Sequence, residues 1–285
     1  MRECERRGFR MHRVLETTSR MDSERLCAGG TAHRKHDVNR NGALKPVKNY
    51  IHSRYRRKRY LKVKRCLDAA AALVGLIMLS PVFLFAALGI RLSSKGPILF
   101  RAERMGKGGV PFTMYKFRTM EEAEQRKRRQ PQKRAGGRIT SADDPRVFPF
   151  GRFLRKTKID ELPQLVNILK GDMAVIGPRP EDVSIVRKHY TKRQMYTLAL
   201  LPGLSSPGSL FYYAYGETLL KGDDAERLYI RRLLPVKLEM DLNYVRRVSL
   251  LYDAEMILRT VAVITAQMCG VKRFRYPAEY RNMRG

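Results

Sequence analysis

The feature that most limits how this chain can fold is an uncharged run of 22 residues, Ala69 to Ile90, reading AAAALVGLIMLSPVFLFAALGI. As a helix it would reach ~33 Å at ~1.5 Å per residue, enough to cross a bilayer's hydrocarbon core. Its centre is Ser80-Pro81, where proline removes the hydrogen bond to the Ile77 carbonyl and forces a kink, while the Ser80 hydroxyl can satisfy part of the freed backbone. Arg54, Arg56, Arg57, Lys58, Arg59, Lys62, Lys64 and Arg65 precede the run, and Arg91, Lys95, Arg101 and Arg104 follow it. The preference for positive charge on the cytoplasmic side therefore applies to both ends. A helix that enters the membrane, turns at Ser80-Pro81 and leaves by the same face satisfies both flanks; a proline-kinked crossing helix is the alternative.

Composition bears on the partner. The formal net charge is +31, and residues 1 to 65 hold 20 Lys/Arg against 6 Asp/Glu. Such charge suits nucleic acid or an anionic lipid surface. Its place directly before the apolar run favours lipid headgroups, and no nucleic-acid-binding motif accompanies it. Cys4, Cys27, Cys66 and Cys269 are too scattered for a zinc site or a disulfide framework. The first apolar run starts near residue 67 without the early position or cleavage site of a secretory signal, so the chain is expected to face the cytoplasm. Residues 1 to about 45 lack periodicity and read as disordered, with Met11 and Met21 as alternative starts.

Chemistry concentrates between Gly151 and Pro180, GRFLRKTKIDELPQLVNILKGDMAVIGPRP. Pro163 fits only a first helical turn and Lys170-Gly171 is a usual stop, so a helix is expected from near Asp160 to Lys170. Asp160 and Glu161 would then lie at its positive pole, which favours their ionised forms. Two roles fit Asp160 there: nucleophile, or simple helix cap. In GPRP two prolines fix the backbone around Arg179, a preorganised guanidinium suited to phosphate oxygens or an exposed turn residue.

Upstream, Pro97–Arg104 and Pro111–Met120 read as strands of a hairpin turning at GKGG. Alternation puts Phe112, Met114, Lys116 and Arg118 on one face. Residues 121 to 146 form a polar connection, and beyond Pro202 helical spacing returns in AERLYIRRLLPVKLEMDLNYVRR and DAEMILRTVAVITAQMC. The last of these is apolar enough to pack on the core or lie at a membrane interface.

This order of basic patch, apolar run with central Ser-Pro, KGPILFRAERMGKGGVPFTMYKFRTM, DDPR, GRFLRKTKIDELPQLVNILKGDM and IGPRP resembles the bacterial sugar transferase family, the monotopic phosphoglycosyl transferases. The resemblance runs from about Lys64 to about Leu204 and more loosely to about residue 265. It implies an α+β, predominantly helical, monotopic membrane protein, with a Ser80-Pro81-kinked re-entrant helix and a small β-hairpin in a cytoplasmic catalytic domain. The expected divisions are a disordered extension at 1–45, a polybasic and membrane segment at 46–95, a catalytic domain at 96–270 and a basic tail at 271–285.

The implied reaction moves a sugar 1-phosphate from a UDP-sugar to undecaprenyl or another polyprenyl phosphate at the bacterial inner membrane, releasing UMP. By resemblance Asp160 is the nucleophile, Glu161 a catalytic carboxylate and Mg²⁺ ligand, and Lys116, Arg118, Arg146, Arg155, Gln164 and Arg179 contact substrate. The chain departs from common members at PGLSSPGSL, where many show PGITGWAQV, and at DPRVFPFG, where DPRITRVG is usual, so sugar specificity does not transfer. Anionic lipid is an expected partner, nucleic acid is not, and a homo-oligomer is compatible. A nucleic-acid-binding protein and a non-catalytic membrane scaffold are the competing classes.

Overall fold

The computed structural model describes residues 55–121, 144–216, 225–271, 274 and 280. The expected 1–45 extension, the first part of the polybasic segment, most of the 121–146 connection and nearly all of the 271–285 tail lie outside the described residues.

The apolar run forms the end of one helix and most of the next, α1 (Tyr55–Met78) and α2 (Ser80–Ser93), bent by 61° at Leu79. The bend follows from the proline. Pro81 has no N–H for the Ile77 carbonyl, and the Ser80 hydroxyl donates to that carbonyl instead, at 2.8 Å. Among the described residues no single helix is long and apolar enough to cross a membrane, whereas the bent pair qualifies by length and composition.

Only one side of this pair is covered by protein. Ala72 of α1 packs with Leu165, Ile168 and Met173, and Gly75 lies so close to Leu165 that an added Cβ would sit 3.2 Å from it. On α2, Ala86 and Ile90 pack with Phe117, Phe148 and Leu154, and Gly89 abuts the Phe150 ring, where a Cβ would come within 2.3 Å. Leu73, Val74, Ile77, Met78, Leu84, Phe85, Leu88 and Leu92 are exposed on the other side. A contiguous apolar surface of this kind marks an interaction surface for lipid or protein.

After the bend, β1 (Leu99–Met105) and β2 (Pro111–Phe117) form an antiparallel hairpin in register from Leu99 opposite Phe117 to Met105 opposite Pro111. Gly108 and Gly109, at φ 71° and 77°, supply the left-handed backbone of its turn. The second strand stops three residues before the expected Met120. Arg118 follows directly, and its N–H donates to the Ile98 carbonyl in the same register.

The next elements are α3 (Pro149–Lys156), a 3₁₀ turn (Ile159–Glu161), α4 (Gln164–Lys170) and β3 (Ala174–Ile176). β3 pairs in parallel with β4 (Gly203–Ser205), an expectation the sequence did not provide. Between these strands come α5 (Val183–His189) and a 3₁₀ segment (Gln194–Ala199), and after them α6 (Pro207–Phe211) runs into a π turn (Tyr212–Gly216). The C-terminal half adds α7 (Ala225–Leu228), a π segment (Tyr229–Leu233), α8 (Leu234–Arg247) and α9 (Leu250–Met268). The fold is thus mostly helical with small strand pairs.

Polar ties join α1 to this body. Arg65 donates to the Ile168 and Leu169 carbonyls at 2.5 and 2.8 Å, placing a cation on the free carbonyls at the end of α4. Lys64 pairs with Asp253 of α9 at 2.6 Å, and the Tyr60 and Tyr244 hydroxyls donate to the same carboxylate at 2.5 Å each. Helix α1 is therefore fastened at its base to both the α4 segment and the last helix.

Candidate active site

The carboxylates do not open the α-helix, as the spacing of Asp160 and Pro163 suggested; they precede it by a turn. α3 ends at Lys156, and Lys158 adopts a left-handed conformation (φ 57°, ψ 14°) that reverses the chain into the 3₁₀ turn carrying Asp160 and Glu161. Pro163 then takes the N-cap position of α4, and Gly171, at φ 96°, closes that helix as expected. Asp160 does not cap. Its Oδ1 is buried with no hydrogen-bond partner, and α4 has no side-chain cap bond.

Glu161 is the centre of the polar geometry. Arg179 grips it with two parallel bonds, Nη1 to Oε2 at 2.8 Å and Nη2 to Oε1 at 2.5 Å, and donates also to the Leu204 carbonyl. Lys116 of β2 reaches Oε1 at 3.3 Å, and the Tyr213 hydroxyl lies 3.2 and 3.4 Å from the two oxygens. Burial works against the Glu161 charge, but Arg179 and then Lys116 outweigh it and hold the carboxyl well below its usual range. Asp160 goes the other way: burial pushes it up to about 6, against the pull of Lys116 and with the Glu161 charge adding to the rise. Two adjacent carboxylates thus differ in character, one a fixed anion and one held by few direct contacts.

The partners are themselves positioned by buried groups. Asn167 of α4 donates to the Thr113 carbonyl at 2.7 Å and accepts from Tyr115 N–H at 3.0 Å, locking β2, and hence Lys116, to the helix that follows the carboxylates. Asp241 of α8 is fully buried; its carboxylate accepts from the Arg179 N–H at 3.3 Å and the Gly208 N–H at 3.0 Å. Glu181, two residues on, accepts from Lys237 and from the Tyr229 hydroxyl. The GPRP segment is therefore anchored on α8 on the far side from Glu161, which keeps the guanidinium in register.

Of the expected substrate residues, Lys116 and Arg179 meet at Glu161, and Arg155, which donates to Thr119 Oγ1 at 2.8 Å, acts electrostatically on Asp160. Gln164 follows Asp160 by one helical turn and is fully buried, with neither amide atom hydrogen-bonded. Arg146 forms a tight pair with Asp144, 2.6 Å from Nη2 to Oδ2. Arg118 finds its partners away from the carboxylates. Its guanidinium turns to the end of α2 and donates to Pro97 O, Lys95 O, Ser94 O and Ser94 Oγ at 2.6 to 2.9 Å.

Sequence reasoning missed Tyr213, Asp241 and Lys158. The first two lie far from the carboxylates in the chain and in no motif. Lys158 lies inside the motif but has no side-chain type that announces a left-handed turn. Together these groups place Lys116, Lys158, Arg155 and Arg179 around two carboxylates, an excess of positive charge suited to an anionic ligand such as a phosphate ester.

The sequence profile of the family described as Bacterial sugar transferase matches residues 59–267. A Bacillus subtilis (strain 168) protein, provisionally named an undecaprenyl-phosphate N-acetylgalactosaminyl 1-phosphate transferase, is 38% identical over 174 residues, covering 61% of this chain and 92% of that protein. The Aeromonas hydrophila UDP-N-acetylgalactosamine-undecaprenyl-phosphate N-acetylgalactosaminephosphotransferase is 34% identical over 209 residues, 72% of this chain and 44% of its own length. The Escherichia coli (strain K12) UDP-glucose:undecaprenyl-phosphate glucose-1-phosphate transferase is 35% identical over 203 residues, 70% of this chain and 39% of its own. The chain therefore spans less than half the length of the latter two.

Proposed function

Since the chain belongs to the bacterial sugar transferase family, we propose that it transfers a sugar 1-phosphate from a UDP-sugar to undecaprenyl phosphate, giving undecaprenyl diphosphate sugar and UMP. The observation that carries the reading is the Asp160–Glu161 pair, one carboxylate clamped by Arg179 and Lys116 and its neighbour held by burial within the same cations.

In the proposed reaction an Asp160 carboxylate oxygen attacks the phosphorus that bears the sugar. A new P–O bond to Asp160 forms as the bond to the bridging oxygen breaks, and that oxygen leaves with UMP. A phosphate oxygen of the undecaprenyl carrier then attacks the same phosphorus and frees Asp160, so that one transfer becomes two displacements. Lys116, Arg155 and Arg179 neutralise charge on the phosphate oxygens as it shifts toward the leaving group.

A metal fits this donor set only in part. Among the described residues no three His, Cys, Asp or Glu side chains form a metal cluster. Mg²⁺, however, is commonly held by one or two carboxylates together with substrate phosphates. The unpartnered Asp160 Oδ1 and the Glu161 carboxylate provide two consecutive oxygen donors of that type. Mg²⁺ held through Glu161 would reduce repulsion between the anionic nucleophile and the diphosphate. Glu161→Gln is expected to lower turnover by on the order of 10²-fold and to flatten its magnesium dependence. A magnesium titration of UMP release checks this; an unshifted titration would assign the metal elsewhere.

The bent pair α1–α2 is read as a re-entrant membrane element that holds the site at headgroup depth, facing the cytoplasm. Its exposed apolar residues and the basic residues at both ends support that reading. Single cysteines replacing Arg59 and Lys95, in a chain lacking its native cysteines, should both be labelled only from the cytoplasmic side. Ser80→Leu with Pro81→Leu restores an N–H for the Ile77 carbonyl, and the straightened helix should span, moving one label to the outside. One label on each face in the unaltered helix would sink the re-entrant reading.

The reaction itself is tested by a UMP-release screen of UDP-sugars against undecaprenyl phosphate. The relatives' names differ between N-acetylgalactosamine and glucose, so both belong in the screen. Absence of turnover with every UDP-sugar, in membranes where the protein is folded, would contradict the reading.

A further inference from the structure

Lys158 is the one non-glycine residue among the described positions with a positive φ. Glycine or asparagine would hold this turn at lower steric cost, because a lysine Cβ crowds the carbonyl in left-handed backbone. The turn needs only backbone: Lys158 N–H donates to Arg155 O at 3.2 Å, and Lys158 O accepts from Glu161 N–H at 3.1 Å. Its geometry therefore does not call for lysine. Strain of this kind persists where the side chain has a task.

The side chain shows what the task is. Its ammonium rests 3.9 Å from the centre of the Tyr213 ring, and its charge acts on both Asp160 and Glu161. The Arg179 guanidinium lies 5.7 Å from the same ring centre, and the Tyr213 hydroxyl touches Glu161. Tyr213 sits in a π turn, its backbone carbonyl held by Gln267 Nε2 at 2.7 Å, so the ring is a fixed platform. Arg179 and Lys116 are engaged with Glu161. Lys158 is half-buried, as they are, and its ammonium lies against the Tyr213 ring beside both carboxylates. An ammonium beside both carboxylates can donate charge-assisted hydrogen bonds to a phosphate seated there, and these are stronger than its contact with the ring.

We infer that Lys158 is a further catalytic residue: its ammonium, stationed on Tyr213 beside the two carboxylates, moves onto the phosphate oxygens of the bound donor and stabilises the charge that develops during transfer. This rests on the reading of the site as one for sugar-phosphate transfer. No bond is made or broken at the lysine, which contributes only charge and hydrogen-bond donors.

The test compares Lys158→Asn, which tolerates left-handed backbone without the cation, with Lys158→Arg, which keeps the cation, measuring thermal midpoint, steady-state UMP release, and calorimetric binding of UDP and uridine. Lys158→Asn should match or exceed the wild-type midpoint, yet lose on the order of 10²-fold in turnover, mostly in kcat; Lys158→Arg should recover much of that loss. UDP affinity should fall by about tenfold in Lys158→Asn while uridine affinity holds, because only UDP carries phosphate. Wild-type turnover and UDP affinity in Lys158→Asn would overturn the inference and leave the transferase reading standing. A wild type inert toward every UDP-sugar, but with UDP binding that depends on Lys158, would instead remove the transferase reading and keep the lysine as a phosphate-binding cation.

Discussion

Asp160→Asn should abolish sugar-phosphate transfer, with a loss of at least about 10³-fold, the scale seen when an enzyme's nucleophile is removed. The amide keeps the shape of the carboxylate but has no anionic oxygen to attack phosphorus. Its folding stability should stay within about 1 kcal/mol of the wild type, because Oδ1 makes no hydrogen bond that the amide would break and burial already disfavours the charged form. UMP release by a folded Asn variant, checked against its thermal midpoint, gives the answer. Full turnover would leave Asp160 without a role in the chemistry.

The second large effect is expected at Arg179, where function and stability fall together. Arg179→Ala removes both parallel bonds to a buried carboxylate and leaves Glu161 with Lys116 and Tyr213. Breaking one side of a buried ion pair costs about 3–5 kcal/mol, and losing a phosphate-facing cation costs on the order of 10²–10³ in kcat. Arg179→Lys should lie between, since it restores charge without the fork. Pairing Arg179→Met with Glu161→Gln separates the effects: the double variant should regain much of the stability and none of the activity. If Arg179→Ala transfers normally, the arginine is only a structural partner of Glu161.

These effects depend on features that the sequence discloses unevenly. The bend at Ser80-Pro81 was legible down to the bond from Ser80 Oγ to Ile77 O, because proline's missing N–H is a local fact with one local remedy. The Gly171 stop and the hairpin at GKGG were legible for the same reason, since positive φ selects glycine. Arg179 could be singled out because flanking prolines fix it, although its partner Glu161 is 18 residues away.

What was not legible depends on distant packing or on local strain. The β3–β4 pair is three residues per strand, too short to show a period, and it closes through Gly177 and Gly203, where a Cβ on Gly203 would come 2.1 Å from Gly177 N. Asp241 and Tyr213 reach the site from later helical segments whose inward faces read only as apolar spacing with occasional polar residues. The 3₁₀ turn under Asp160 and Glu161 was missed because lysine, at 158, does the work of an asparagine or glycine. Arg118 keeps the register of β2, but its long side chain reaches acceptors at the end of α2, a choice made by tertiary packing. In each case the side-chain type was visible and its direction was not.

A covalent phospho-sugar on Asp160 is tested by incubating the membrane-embedded enzyme with a turnover-competent UDP-sugar and Mg²⁺ but no undecaprenyl phosphate, quenching, and measuring the intact mass. One UMP should be released per active enzyme, with a mass increase equal to one sugar phosphate attached with loss of water, located at Asp160 in the peptide map and gone when undecaprenyl phosphate is added before the quench. UMP release that begins only once the carrier is present, with no adduct at any time point, would contradict the covalent intermediate and point to direct transfer between the two substrates.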